Sequence, residues 1–207
     1  MTPPHRHLVP LLASLAAMAA LMASAAPAPL ASGAYEEALL IGYDPASGVV
    51  SGYFDMTQGE QPSFSCVFYL KGRISGGAAA IDTYFPQTPA DDLIKGTLKL
   101  GGAGKLTIVL PTEHGGCANV WQFASKDQPA EFTLAGAHPW TSVRVVKAAK
   151  AYFYVSPGAA DHGRAYLVQG DGVGVRATQA GWLQVDYVGG ARPISGWVKA
   201  ADLYPGG

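Results

Sequence analysis

The sequence predicts an all-β protein, in which an N-terminal antiparallel β sandwich or barrel is followed by a small five-stranded barrel. Three observations predict this class. First, 26 Gly and 15 Pro make up about a fifth of the 207 residues, which disfavours a helical bundle. Second, short apolar alternations recur about every 8 to 14 residues, with no helical period. Third, turns containing Gly or Pro separate these segments.

The composition excludes several classes of protein. Charged residues make up 14% and hydrophobic residues 49% of the chain, so we expect neither a disordered chain nor a polyanion binder. Nucleic acid is therefore not an expected partner. The sequence has no dense run of His, Cys or acidic residues, and we expect no metal ion and no cofactor.

Residues 1–26 are a predicted signal peptide. Residues 5–7, which include Arg6, precede an apolar run from Leu8 to Ala23, and small residues fit a cleavage site near Ala25 or Ala26. A permanent membrane anchor is the alternative, but the run is short and rich in Ala. We therefore expect a periplasmic or secreted protein with no stable membrane insertion after cleavage.

The exported part of the chain divides into two segments of opposite charge. Residues 27–139 contain 6 basic and 11 acidic residues, net −5, and residues 140–207 contain 7 basic and 4 acidic residues, net +3. Between them, Gly136-Ala137-His138-Pro139-Trp140 is a predicted linker. The expected use of the opposite charges is docking of the two halves on each other.

Segment 27–139 contains seven or eight short predicted strands. In Ser63–Gly72 the alternation places Cys66 on the buried face with Phe64 and Phe68. The pattern does not distinguish an up-and-down barrel from a two-sheet sandwich. The predicted strands are Ala38–Tyr43, Val49–Phe54, Ser63–Gly72, Ala78–Phe85, Leu93–Leu100, Lys105–Leu110, Ala118–Ala124 and Glu131–Leu134.

The two cysteines, Cys66 and Cys117, are expected to form a disulfide, because export places them in an oxidising compartment. The bond would close a loop of about 50 residues and contribute about 4 kcal/mol. The alternative is a catalytic or redox Cys117 served by His114, but nothing nearby supplies a third orienting group. Gly115 and Gly116 predict a tight loop pinned by the disulfide and able to insert into a partner's cleft. A strained turn with no partner is the other interpretation.

In residues 140–207 the predicted strands follow one another more closely than in segment 27–139, and their motifs resemble those of a known family. The motifs are Tyr166–Asp171 before Val173 and Val175, Gly181–Val185, and Gly196–Val198 with Asp202-Leu203. In this order they resemble a bacterial SH3-type (SH3b-like) domain over about residues 143–204. The predicted strands are Ser142–Val146, Ala151–Val155, Ala165–Val168, Val173–Arg176, Gly181–Val188 and Ser195–Lys199, before a short helical turn at Ala200–Tyr204.

This resemblance implies a non-catalytic module that recognises peptides or cell-wall material. Aromatic rings with a polar edge suit a wet binding groove, and the candidates are Tyr152, Tyr154, Trp182 and Tyr204. The alternative is that most of these rings form the core of a small barrel, as we expect for Trp197. The loop 189–194 is longer than the family requires, which leaves the shape of a groove open.

The sequence does not predict an enzyme. The histidines beyond the signal peptide, His114, His138 and His162, are scattered and lack ligand spacing. We expect an exported, non-catalytic binding protein of the cell envelope, whose partner is a cell-wall peptide or an envelope protein. The alternative is an inhibitor or immunity-type protein that blocks an exported cell-wall hydrolase, comparable in size and disulfide content to periplasmic lysozyme inhibitors.

Overall fold

The computed structural model describes residues 30–36, 38–61 and 63–206, and they form an all-β fold, as predicted. The predicted signal peptide, residues 1–26, lies outside the described residues. We refer below to the N-terminal barrel, residues 30–137, and to the C-terminal unit, residues 142–206.

Eight antiparallel strands form a closed up-and-down barrel. Each strand pairs with the next along the chain, and β1 also pairs with β8, where Gly33 lies opposite Ala137. The closed arrangement leaves no free sheet edge, and it decides between the two architectures that the sequence left open. The strands are β1 (Gly33–Tyr35), β2 (Leu39–Asp44), β3 (Val49–Gln58), β4 (Phe64–Ser75), β5 (Ala78–Tyr84), β6 (Ile94–Leu100), β7 (Lys105–Val109) and β8 (Ala130–Ala137).

The barrel interior is filled by side chains. Phe54 lies at its centre, with ring centroids 5.5 Å from Phe68, 5.1 Å from Phe123 and 6.0 Å from Phe132. All four rings are buried, and their offset and edge-to-face contacts stabilise the core beyond the apolar area that they bury. The disulfide between Cys66 and Cys117 also lies in this core, as predicted, since both residues are fully buried.

Two details of the barrel differ from the sequence-based predictions. Segment 118–124 is not a strand: Cys117–Asn119 form a turn of 3₁₀ helix, and the next strand begins only at Ala130. The disulfide ties this segment to β4, and Phe123 fills the core from a loop rather than from a ladder. Phe64, predicted to be buried, is 40% exposed, because β4 begins beyond the packed interior.

The C-terminal unit consists of two small antiparallel sheets that enclose one apolar core. β9, β12, β13 and β14 form a four-stranded sheet in the order β14-β13-β12-β9, and β10 pairs with β11. Both sheets contribute to the core, which includes Leu167, Val173 and Val198. The strands are β9 (Ser142–Val145), β10 (Lys150–Tyr152), β11 (Tyr166–Val168), β12 (Gly172–Gln179), β13 (Trp182–Tyr187) and β14 (Ile194–Lys199), followed by a 3₁₀ turn at Ala200–Asp202.

The edge strand β9 lies against the outside of the barrel. Ser51 Oγ accepts a hydrogen bond of 2.9 Å from the Val143 N–H, and Tyr69 Oη donates one of 3.0 Å to the Val143 carbonyl. These side chains therefore satisfy the edge of β9 that faces away from β12. A Cβ at Gly42 would collide with the backbone of Ser142, so glycine permits the close approach of β9 to β2.

The connection between the two parts is short and packed. Gly136 and Ala137 belong to β8, and the Trp140 ring is buried with its Nε1–H donating to Asp186 Oδ2 at 2.8 Å. The expected electrostatic docking is not observed: among the described residues, every ion pair lies within the barrel or within the C-terminal unit. The interface instead buries Tyr53, Tyr69, Val143 and Val145.

Candidate functional site

The C-terminal unit carries a cluster of aromatic side chains on its surface. Tyr152 and Tyr166 lie opposite each other in the β10–β11 pair, and Tyr154 forms an isolated bridge with Trp197 of β14. The chain between these strands folds back so that the Gly163 N–H donates to the Phe153 carbonyl at 2.8 Å, which brings the loop beside Tyr152.

The rings form a continuous strip. The His162 ring stacks on Tyr152 at 3.9 Å between centroids and lies edge-on to Tyr154 at 5.9 Å. Tyr152 is 5.6 Å from Tyr166 on its other side, and Tyr154 meets Trp182 edge to face at 4.8 Å. We call Tyr152, Tyr154, His162, Tyr166 and Trp182 the aromatic strip. Its members are half-buried or exposed, so part of each ring is accessible to a ligand.

A tight turn fixes the position of Trp182 in the strip. Gln179 and Trp182 pair across the two-residue turn Ala180-Gly181, in which both residues have positive φ, 45° and 84°. This conformation is that of the tight turn that suits the twist of a hairpin. Because Leu183 and Val185 are buried, the alternation along β13 places the Trp182 ring on the opposite, outer face, half-buried against Tyr154.

Two lysines border the strip. Lys150 Nζ lies 4.5 Å from the centroid of the Tyr166 ring, and Lys199 Nζ lies 5.6 Å from that of Tyr154. Cation–π attraction of this kind contributes about 0.5 to 1 kcal/mol at exposed sites. The strip therefore combines flat apolar faces with ammonium donors and phenol hydroxyls, a combination that suits sugar rings and short peptides with acidic groups.

Tyr204, the fourth aromatic candidate from the sequence, does not belong to the strip. It packs with the interface residues Tyr69, Val143 and Val145 at the side of the C-terminal unit that faces the barrel. Its backbone N–H donates to the Val145 carbonyl at 2.8 Å. The structure thus brings together Tyr152, Tyr154 and Trp182 and places Tyr204 elsewhere.

His114 lies inside the end of the barrel. The residue is 3% exposed, and its ring stacks on Phe68 with 5.1 Å between the ring centroids. Its Nε2 lies 2.8 Å from Thr83 Oγ1 and its Nδ1 lies 2.9 Å from Asp92 Oδ2, while Thr83 Oγ1 also donates to the Ile94 carbonyl at 2.8 Å. His114 therefore joins the loop after β7 to β5 and to the loop before β6, and a ligand at the surface does not reach its ring.

Gly116 has a conformation that other residues rarely adopt, whereas Gly115 is open to solvent. Gly116 has φ 83°, and a Cβ there would collide with the Ser65 carbonyl. Gly115 is exposed, and a Cβ there would meet no atom within 4 Å. Nearby, Glu113 Oε1 accepts hydrogen bonds from the N–H groups of Phe123 and Ala124 at 2.8 and 2.7 Å. The loop is thus fixed at both ends, with Gly115 as its presented residue.

The structure supplies in Asp92 the third group beside His114 that the sequence did not indicate, but it gives no free thiol for the catalytic alternative, because Cys117 is bonded to Cys66. Within residues 30–36, 38–61 and 63–206, no group of three or more His, Cys, Asp or Glu side chains is arranged to hold a metal ion. No helix in this described part of the chain has the length and apolar character required to cross a membrane.

The sequence-based reasoning missed four residues of the strip and its border. Tyr166 and His162 join Tyr152 only through the register of β10 on β11 and the course of the intervening loop, and neither is visible in the sequence. The sequence offers a weak signal for the two lysines. Lys150 lies two residues before Tyr152, and Lys199 pairs with Trp182 across β13 and β14, but only the structure shows their contacts with aromatic rings.

Comparison with protein-family models, curated proteins and solved structures finds no match to this chain.

Proposed function

We propose that this protein is an exported, non-catalytic binding protein of the cell envelope, and that the aromatic strip of its C-terminal unit contacts a cell-wall component or a peptide. The strip carries the proposal: five aromatic side chains lie in mutual contact on one open surface, bordered by Lys150 and Lys199. Exposed aromatic clusters of this kind are typical of recognition surfaces, because large rings contribute contact area at low conformational cost.

The resemblance of residues 143–204 to SH3-type domains supports the same proposal. In that family such modules recognise peptides or cell-wall material, and the motif residues Trp182 and Trp197 lie on neighbouring antiparallel strands in this chain. The buried disulfide is compatible with an exported protein. An envelope location would place the strip in contact with cell-wall peptides and glycans.

Sedimentation with purified peptidoglycan tests the proposal. The whole chain should co-sediment, and Tyr154→Ala combined with Trp182→Ala should weaken binding at least tenfold, since central aromatic contacts dominate most interfaces. Phe64→Ala is the matched control, because Phe64 is an aromatic residue that is 40% exposed on the barrel, which contributes no residue to the strip. Equal binding by the double variant and the control, with both folded, would refute the role of the strip.

Export is tested separately. Mass spectrometry of the protein recovered from the periplasm or the medium should show a chain that begins near Ala26 or Pro27. Retention of full-length protein in the cytoplasm would contradict an envelope function.

A second candidate function, inhibition of an exported cell-wall hydrolase, is favoured by the geometry at Gly115. This residue is exposed on a loop that Gly116 and the disulfide hold in one conformation, and pre-organised loops bind clefts with little loss of conformational entropy. Inhibition of a lysozyme or amidase by the whole chain, abolished by Gly115→Trp, would establish it. Inhibition that is unchanged by Gly115→Trp would exclude this loop as the inhibitory element.

A further inference from the structure

A cleft with a mainly apolar lining lies between the barrel and the C-terminal unit, on a different surface from the aromatic strip. It has a volume of about 420 Å³, within the range of small-molecule sites. The barrel contributes Tyr69, Tyr84 and Leu93, and the C-terminal unit contributes Arg144 and Tyr204. The Tyr69 and Tyr84 rings contact each other at 5.5 Å and form one wall.

The rim of this cleft exposes apolar surface. Leu93 is 47% exposed, although it is a large hydrophobic residue. It lies at the end of a loop that contains Pro86 and Pro89, which also line the cleft. Because proline fixes φ, these residues limit the freedom of the loop. The cleft is therefore a pre-formed surface that exposes apolar side chains to solvent.

Arg144 supplies a positive charge at the cleft. Among the described residues, no carboxylate forms an ion pair with its guanidinium. Asp82, the acidic residue of the cleft, is paired with Lys95 at 3.2 Å. A Cβ at Gly206 would collide with Arg144 Nη1, so the chain at Gly206 packs directly on the guanidinium and restricts its position. A guanidinium offers parallel N–H donors that match a carboxylate.

The hydroxyl of Tyr84 adds a neutral donor to the cleft. Partial burial raises the pKa of Tyr84 to about 12, so its phenol keeps its proton at neutral pH. The Tyr69 hydroxyl donates to the Val143 carbonyl and is already engaged. Tyr84 is thus a phenol in the cleft that is able to donate a hydrogen bond to an anionic oxygen.

We propose that this cleft binds a small carboxylic acid with an apolar body, whose carboxylate pairs with Arg144 while its body packs on Tyr84 and Leu93. This site is separate from the proposed cell-wall contact, since none of its lining residues belongs to the aromatic strip. The acid is either a free small molecule or the C-terminal carboxylate of a peptide with an apolar last residue.

The test uses 3-phenylpropionate as the probe and 3-phenylpropanamide as its neutral match. In a ¹⁵N NMR titration of the whole chain, the acid should shift the amide signals of Arg144, Leu93 and Tyr204. The amide should bind at least tenfold more weakly, because charge-assisted hydrogen bonds contribute this much or more. The peptide Ala-Ala-Phe with a free or an amidated terminus then distinguishes a peptide ligand from a free acid.

Variants at Arg144 and Leu93, with a control at Arg192, distinguish a loss of binding from a loss of folding. Arg144→Gln should weaken binding of the acid roughly ten- to a hundredfold, while Arg192→Gln, in an exposed loop, should leave it unchanged. Leu93→Glu places a negative charge at an exposed position and should abolish binding, whereas Leu93→Lys should retain it. Equal binding of acid and amide, wild-type affinity in Arg144→Gln, or an absence of shifts at millimolar acid would overturn the proposal.

Discussion

Val143 of β9 is hydrogen-bonded to two side chains of the barrel, and Ser51→Ala tests how much one of these bonds stabilises the docking of the C-terminal unit. Ser51 is 3% exposed and its Oγ accepts the Val143 N–H at 2.9 Å. The substitution leaves a buried N–H without a partner, which costs about 2 kcal/mol. For a chain of this length, that loss lowers Tm by about 4 to 8 °C. Tyr69→Phe removes the donor to the Val143 carbonyl and should cost about 1 kcal/mol, since a carbonyl tolerates a lost bond better than an N–H.

The measurement is urea unfolding followed by tryptophan fluorescence, with Ser65→Ala as the matched control. Ser65 makes an exposed hydrogen bond of 2.9 Å to Thr57, so its replacement should change the free energy of unfolding by less than about 0.5 kcal/mol. Because Ser51 and Tyr69 bond to the same residue, their effects should be non-additive by about 0.5 kcal/mol or more. Equal stability of Ser51→Ala and Ser65→Ala would show that the hydrogen bond between Ser51 and Val143 does not stabilise the docked state.

Three further predictions concern the barrel. Reduction of the disulfide, whose cysteines are 51 residues apart, should lower the free energy of unfolding by about 4 kcal/mol in urea titrations with and without reductant. Gly116→Ala should cost about 2 kcal/mol or more in the same assay, because of its positive φ and the contact with Ser65, whereas Gly115→Ala should be neutral within about 0.5 kcal/mol. Burial raises the pKa of Tyr35 to about 12, so the unfolded phenol ionises first and stability falls between about pH 10 and 12. The cost of Tyr35→Phe should therefore be about 1 kcal/mol smaller at pH 11 than at pH 8.

Most of the strands could be predicted from local pattern, but closure of the barrel could not. The alternation of Leu106, Ile108 and Leu110 predicts β7 at Lys105–Leu110, and the structure has it at Lys105–Val109. By contrast, β1 has only three residues, Gly33–Tyr35, too few for a pattern. Its pairing with both β2 and β8 closes the barrel, and a contact across about a hundred residues leaves no local signal.

The candidate site was predictable in composition but not in arrangement. The sequence indicates that Tyr152, Tyr154 and Trp182 are candidates for a binding groove of a small β unit, and the structure brings them together. Tyr204 is also an aromatic candidate from the sequence, but it packs at the interface with the barrel. That position depends on tertiary docking, which the local sequence does not indicate. Likewise, the sequence predicts a linker at Gly136–Trp140, whereas the structure packs this segment: the Trp140 Nε1–H donates to Asp186, 46 residues further along the chain.

The two proposed binding surfaces respond differently to the docking of the two parts, and this difference tests their independence. All five rings of the aromatic strip lie within the C-terminal unit, so their arrangement does not require the barrel. The cleft is formed by both parts, with Tyr84 on one side and Arg144 on the other. Ser51→Ala, which loosens β9 on the barrel, should therefore weaken binding of 3-phenylpropionate severalfold and leave sedimentation with peptidoglycan unchanged. A parallel loss of both activities would mean that the strip and the cleft belong to one cooperative site.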